Sequence, residues 1–97
     1  MKVKRQVIEQ YLELCPLSSF KCSTHEEIEY KVKRCVSLGK IVEMNNDGSL
    51  VYGYYHLRFI VKDECVIEMF KVNKKYTIHI KEYLKAKYDQ VNDKVVV

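Results

Sequence analysis

The chain has 97 residues, 47% of them hydrophobic and 31% charged, with eight tyrosines, three glycines and one proline. That is enough for one domain, residues 1–97, which buries only about 60 to 65 per cent of the surface its unfolded form exposes, and it excludes a disordered or low-complexity chain. A formal net charge of +4 favours polyanions without being basic enough to imply nucleic acid on its own.

In the opening stretch "VKRQVIEQYLELC", Val3, Val7, Ile8, Tyr11, Leu12 and Cys15 recur at helical spacing and leave the charged residues outside, so a first helix is predicted, stopped by Pro16. "PLSSFKCS" reads as a connector. It ends in "STHEE", where Ser23 with Glu26, or Thr24 with Glu27, makes a capping box for a second helix over about residues 24–38. That helix buries Ile28, Val32, Cys35 and Val36, carries Lys31, Lys33 and Arg34 in its later turns, and meets Gly39 as its C-terminal cap.

From Lys40 the period changes to two. "IVEM", the turn "NNDGS" and the long stretch "LVYGYYHLRFIVK" read as strands, with Val51, Gly53, Tyr55, Leu57, Phe59 and Val61 on one face and Gly53 marking a bulge or bend. "KDE" turns the chain into "CVIEMFKV" and "NKK" into "YTIHI", completing a four-stranded antiparallel meander. "KEYLKAKYDQ" reads as a short basic helix or as an extension of the last strand, and "VNDKVVV" as a strand added to an edge or a fraying end. The expected fold class is therefore α+β: two N-terminal helices packed on a four-stranded antiparallel sheet, with a basic C-terminal helix or strand.

The charge is unevenly placed. Residues 1–48 carry eight Lys/Arg against seven Asp/Glu, whereas residues 71–88 carry six lysines, one glutamate and three tyrosines. Lys71, Lys74, Lys75, Lys81, Lys85 and Lys87 are thus candidate phosphate contacts beside tyrosines able to stack on unpaired bases, unless the lysines simply solvate an element whose tyrosines face the core. On the long strand, Tyr52, Tyr54, His56 and Arg58 alternate opposite the expected core face, a combination suited to a protein partner or a second copy.

Two resemblances follow from these residues. "EEIEYKVKRCVSLGKIVEMNNDGSLVYG", residues 26–54, resembles the second half of a winged helix-turn-helix, which implies Lys31, Lys33 and Arg34 facing a major groove and residues 45–49 forming the wing tip. The order of helices followed by an antiparallel sheet is similar to the RelE-type ribonuclease toxin scaffold, which implies RNA chemistry at Arg58, Lys71, Tyr76, His79 and Tyr83. His25, His56 and His79 are scattered, and no glycine-rich phosphate loop, paired metal motif or carboxylate cluster is present, so no cofactor, metal, small-molecule substrate or catalytic residue is assigned. Cys15, Cys22, Cys35 and Cys65 are expected as packed thiols, with a disulfide or a zinc site of Cys15, Cys22, His25 and Cys35 as alternatives.

No apolar run approaches the roughly 20 residues that cross a bilayer, and the first fifteen residues are amphipathic rather than signal-like, so the expected location is cytoplasmic. The functional expectation is a small non-enzymatic accessory binding protein, of the kind that viruses or mobile elements encode, engaging nucleic acid or a host protein. The alternatives are a RelE-like ribonuclease and a homo-oligomeric interaction module.

Overall fold

A computed structural model describes residues 1–16 and 24–92. In chain order the elements are β1 (Lys2–Val3), α1 (Arg5–Leu14), α2 (His25–Leu38), β2 (Lys40–Met44), β3 (Leu50–Tyr54), β4 (Leu57–Lys62), β5 (Cys65–Lys71), a 3-10 turn (Lys74–Tyr76) and α3 (Glu82–Val91). The fold is α+β, with the strands forming one sheet of order β1-β5-β4-β3-β2.

Each helix end has a local cause. α1 buries Val7, Ile8 and Tyr11 and stops at Cys15, just before Pro16, while Leu12 is exposed. α2 begins where the Thr24 hydroxyl accepts from the Glu27 amide at 3.2 Å, a cap of the kind worth about 1 kcal/mol. It ends at Gly39, whose amide donates to the Cys35 carbonyl. Ile28, Val32, Cys35 and Val36 are buried as their spacing predicts. The C-terminal basic stretch is a helix rather than a strand extension. The predicted connector over residues 17–23 and the end of "VNDKVVV", residues 93–97, lie outside the described residues.

The sheet corrects three expectations. First, β2 to β5 do form an antiparallel meander, but β1 adds a fifth, parallel strand with Lys2 beside Cys65 and Val3 beside Val66. Val3 therefore belongs to a strand and not to the first helix.

Second, residues 50–62 are not one strand. The chain reverses at Tyr55 and His56, pairing Tyr54 with Leu57, Tyr52 with Phe59 and Leu50 with Val61. Directly paired residues share a face, so Tyr52 and Tyr54 lie with Leu57, Phe59 and Val61, while Val51 and Gly53 lie with Ile60 and Arg58 on the other side. The alternation within each half is as predicted, but the reversal exchanges the faces of the first half.

Third, "YTIHI" is not a strand: it touches the sheet through a single bridge between Tyr55 and Ile78. Gly53 sits within regular pairing, opposite Lys40, rather than at a bulge; the irregularity of this pair lies on β2 at Val42, opposite the Val51–Tyr52 step. A Cβ at Gly53 would collide with the Ile78 side chain, so the glycine makes room for that bridge.

The core lies between the helices and the face of the sheet that carries Phe59. Val7, Ile8 and Tyr11 of α1 and Ile28, Val32, Cys35 and Val36 of α2 cluster with Tyr54, Leu57, Phe59, Val66, Met69 and Ile80. Phe59 and Val32 are wholly buried, and truncating a residue such as Phe59 to alanine costs about 3 to 5 kcal/mol. No helix among the described residues is long and apolar enough to cross a membrane.

Candidate nucleic-acid interface

The segment after β5 is built outward from the turn at Tyr55 and His56. Val72 donates its amide to the His56 carbonyl, and Tyr55 and Ile78 exchange two backbone hydrogen bonds of 2.9 Å. Asn73 then caps the 3-10 turn by accepting from the Lys75 amide at 3.0 Å, and the Thr77 hydroxyl donates to the Lys74 carbonyl at 2.6 Å.

Arg58 reaches across from β4 and ties this segment to the turn. Its Nη1 donates to the carbonyls of Tyr55 and Leu57, each at 2.9 Å, and its Nη2 to the carbonyl of Tyr76 at 2.7 Å. The Tyr55 hydroxyl donates to the Ile80 carbonyl at 2.8 Å, which fixes the approach to α3. The backbone of residues 72–80 is thus held by side chains that point inward.

Ile80 turns into the core and Ile78 packs against it, while the polar side chains point the other way. Lys71, Lys74, Lys75, His79 and Lys81 are exposed, and Tyr76 and Tyr83 remain 57% and 62% accessible, high values for tyrosine. Lys75 Nζ lies 5.0 Å from the centre of the Tyr76 ring and Lys81 Nζ 6.0 Å from that of Tyr83. Lys87 is one helical turn beyond Tyr83 and is exposed as well. Within residues 71–83 the one carboxylate, Glu82, is occupied by Lys85 at 3.0 Å.

The remaining candidates are placed differently. Arg34 is paired with Asp89 of α3 at 2.7 Å, in a site where the side chains retain only 19% and 12% of their exposure. Tyr30 donates its hydroxyl to the same carboxylate at 2.6 Å and packs on Tyr88, so this side of α2 faces α3 and not a nucleic-acid groove. Burial, then the hydrogen bond to Asp89, raises the Tyr30 pKa above the usual phenol range. Lys33 is bound to Glu29 at 3.2 Å, and Lys31 is half-buried. The wing expected at residues 45–49 is a tight turn with Gly48 at a φ of 88°, braced by Asp47, which accepts from the Ser49 amide and hydroxyl and meets Lys62 at 3.6 Å.

Lys85 is also committed to the fold. Its ammonium lies 4.8 Å from the Tyr55 ring centre and 6.0 Å from that of Tyr54. Tyr52, Tyr54, His56 and Arg58, expected on one outward face, are not brought together. Tyr54 is 7% exposed and on the helix side, with burial pushing its pKa up to about 12, and Arg58 is 7% exposed on the opposite side. The cause is the chain reversal, which places Tyr54 and Arg58 on different strands and faces.

The ribonuclease-like set is split in the same way: Lys71, Tyr76, His79 and Tyr83 are exposed, but Arg58 has its guanidinium turned to backbone carbonyls. Cys15, Cys35 and Cys65 are free thiols, and burial pushes Cys35 up to about 12. No group of three metal-ligating side chains occurs among the described residues, which do not include Cys22. Sequence reasoning missed Asn73, whose sole signal was the turn-forming "NKK", and Thr77, which it placed in the expected strand "YTIHI".

No protein-family model matches this chain, and comparison with curated proteins and with solved structures finds no significant match. The two resemblances drawn from the sequence therefore have no matched relative to extend them.

Proposed function

We propose that this protein is a small binding module for single-stranded nucleic acid, acting through Lys71, Lys74, Lys75, Tyr76, His79, Lys81, Tyr83 and Lys87. The observation that carries this reading is the pairing of two largely exposed tyrosine rings with lysines that have no ion-pair partner among the described residues, on a backbone held by Arg58 and Tyr55. Lysines neutralise phosphates while the rings offer π-faces to unpaired bases, a combination that binds strands with little sequence preference. A backbone already ordered in the free protein loses less entropy when a strand docks.

The reading departs from a groove-reading helix because Arg34 and Lys33 are already paired and Lys31 is half-buried. It departs from a ribonuclease because the one arginine of the second half is spent on carbonyl groups. Fluorescence anisotropy of labelled RNA and DNA strands at two salt concentrations tests it.

Binding is expected to weaken with salt, and each of Lys74→Ala and Lys75→Ala to flatten the logarithmic salt slope by about 0.7. Tyr76→Ala is expected to lose about 1 to 3 kcal/mol of affinity, with Lys33→Ala unchanged and the RNA uncut. Salt-insensitive or absent binding would remove the proposal, and cleavage of the RNA would restore the ribonuclease.

A further inference from the structure

α3 stands outside the hydrophobic core. Among the described residues, the cluster around Phe59 and the partly buried side chains packed against it include no residue of this helix. Its one buried residue is a carboxylate, Asp89, while Tyr83 and Val91 remain 62% and 74% exposed. The chain enters the core for the last time at Ile80, which is 3% exposed and has its carbonyl held by the Tyr55 hydroxyl.

The contacts that hold α3 in place are mostly polar. Asp89 accepts from Arg34 and Tyr30, the Tyr88 ring meets that of Tyr30 at 5.7 Å, and Lys85 lies over the Tyr54 and Tyr55 rings. Such contacts trade hydration for protein partners, and a largely enclosed ion pair gives back much of its Coulomb attraction as desolvation. The docked arrangement also leaves Arg34 Nε buried without an acceptor among the described residues, a cost that hydration on opening relieves.

We propose that α3 opens as one unit, pivoting between Ile80 and Lys81, while the sheet, α1 and α2 stay folded. The opening costs less free energy than global unfolding, because the core is the same before and after it. A helix of 10 residues with no side-chain cap at Lys81 is too short to persist alone in water, so the released segment unwinds and its amides meet solvent. The opening does not depend on the nucleic-acid reading. On that reading, Tyr83 and Lys87 ride on the moving part while Lys74, Lys75 and Tyr76 stay on the fixed one, which gives the strand surface one rigid and one adjustable half.

Amide hydrogen exchange of the free protein, followed by NMR at urea concentrations below the unfolding transition, provides the test. The amides of residues 86–91 are expected to exchange together, at least about tenfold faster than those of β4 and β5 and with a weaker urea dependence, since less surface is exposed. Asp89→Ala is expected to speed their exchange about tenfold or more. Ile8→Val, a change within the core on α1, is expected to speed exchange in β4 and β5 about two- to tenfold and to leave residues 86–91 unchanged, because that core is intact in the open state. Exchange of residues 86–91 at the rate and urea slope of β4 and β5 would overturn the opening, as would equal acceleration of both regions by Ile8→Val. So would rates that climb residue by residue towards Val91 without urea dependence, which is end fraying, or an Asp89→Ala variant whose α3 exchanges no faster than the wild type.

Discussion

Arg58 does the work of several backbone partners at once. Its guanidinium satisfies three carbonyls, two at the Tyr55 turn and one in the 3-10 turn, and so joins two segments that sequence separates by eighteen residues. Removing it takes a donor from one buried and two partly buried carbonyls, of which that of Tyr55 keeps another, the Ile78 amide; each buried partner lost costs about 1 to 3 kcal/mol. Arg58→Ala is expected to destabilise the protein by about 3 kcal/mol in urea unfolding. Arg58→Lys should recover little, because an ammonium cannot span the same fork. If the nucleic-acid surface depends on this scaffold, Arg58→Ala also weakens strand binding at temperatures where the protein is still folded.

At the scale of elements, α3 is held to α2 by one carboxylate. Asp89 accepts from both Tyr30 and Arg34, so Asp89→Ala removes the Tyr30 hydrogen bond and leaves the largely enclosed Arg34 guanidinium without its carboxylate. The expected loss is about 2 to 3 kcal/mol, against little change for Glu82→Ala, which meets its partner Lys85 from an 83% exposed position where solvent screens the pair. Thermal unfolding of both variants checks the contrast.

The β4–β5 connection carries strain that can be relieved. Asp63 and Glu64 have φ of 51° and 60°, as the two-residue turn between Lys62 and Cys65 requires, and neither has glycine's freedom there. Glu64→Gly is expected to raise stability by about 1 kcal/mol, read as a higher urea midpoint with an unchanged slope.

At the scale of the whole molecule, a neutral phenol and a thiol packed into the core, with a second phenol held at Asp89, set the alkaline limit. Tyr54, Cys35 and Tyr30 all have pKa values raised by burial, Tyr54 and Cys35 to about 12 from 10.0 and 9.0. The unfolded chain releases these protons first. The stability tied to them is complete below about pH 9 and is lost as pH rises towards 12. A melting temperature that falls across that window, with a shallower fall in Tyr54→Phe, is the expected result. A flat profile to pH 12 would contradict it.

What the sequence determined by itself is local. The Thr24 cap, the stop at Gly39, the buried stripe of α2, the turn around Gly48 and the lysine excess of residues 71–88 all arise from backbone and side-chain preferences within a few neighbours, so they survive being read one window at a time. The exposed half of the candidate site, from Lys71 to Lys87, was legible for the same reason.

What the tertiary structure decided is which distant groups meet. The reversal at Tyr55 and His56 has no glycine or asparagine to announce it and is held by Ile78 and Arg58. β1 is two residues long, too short to have a period, and forms because β5 offers it an edge. Arg34 and Lys85 read as free cations until Asp89 and the Tyr54–Tyr55 pair come within reach. Periodicity states that a side chain alternates or recurs; only the folded chain assigns its partner, because that choice depends on contacts tens of residues apart.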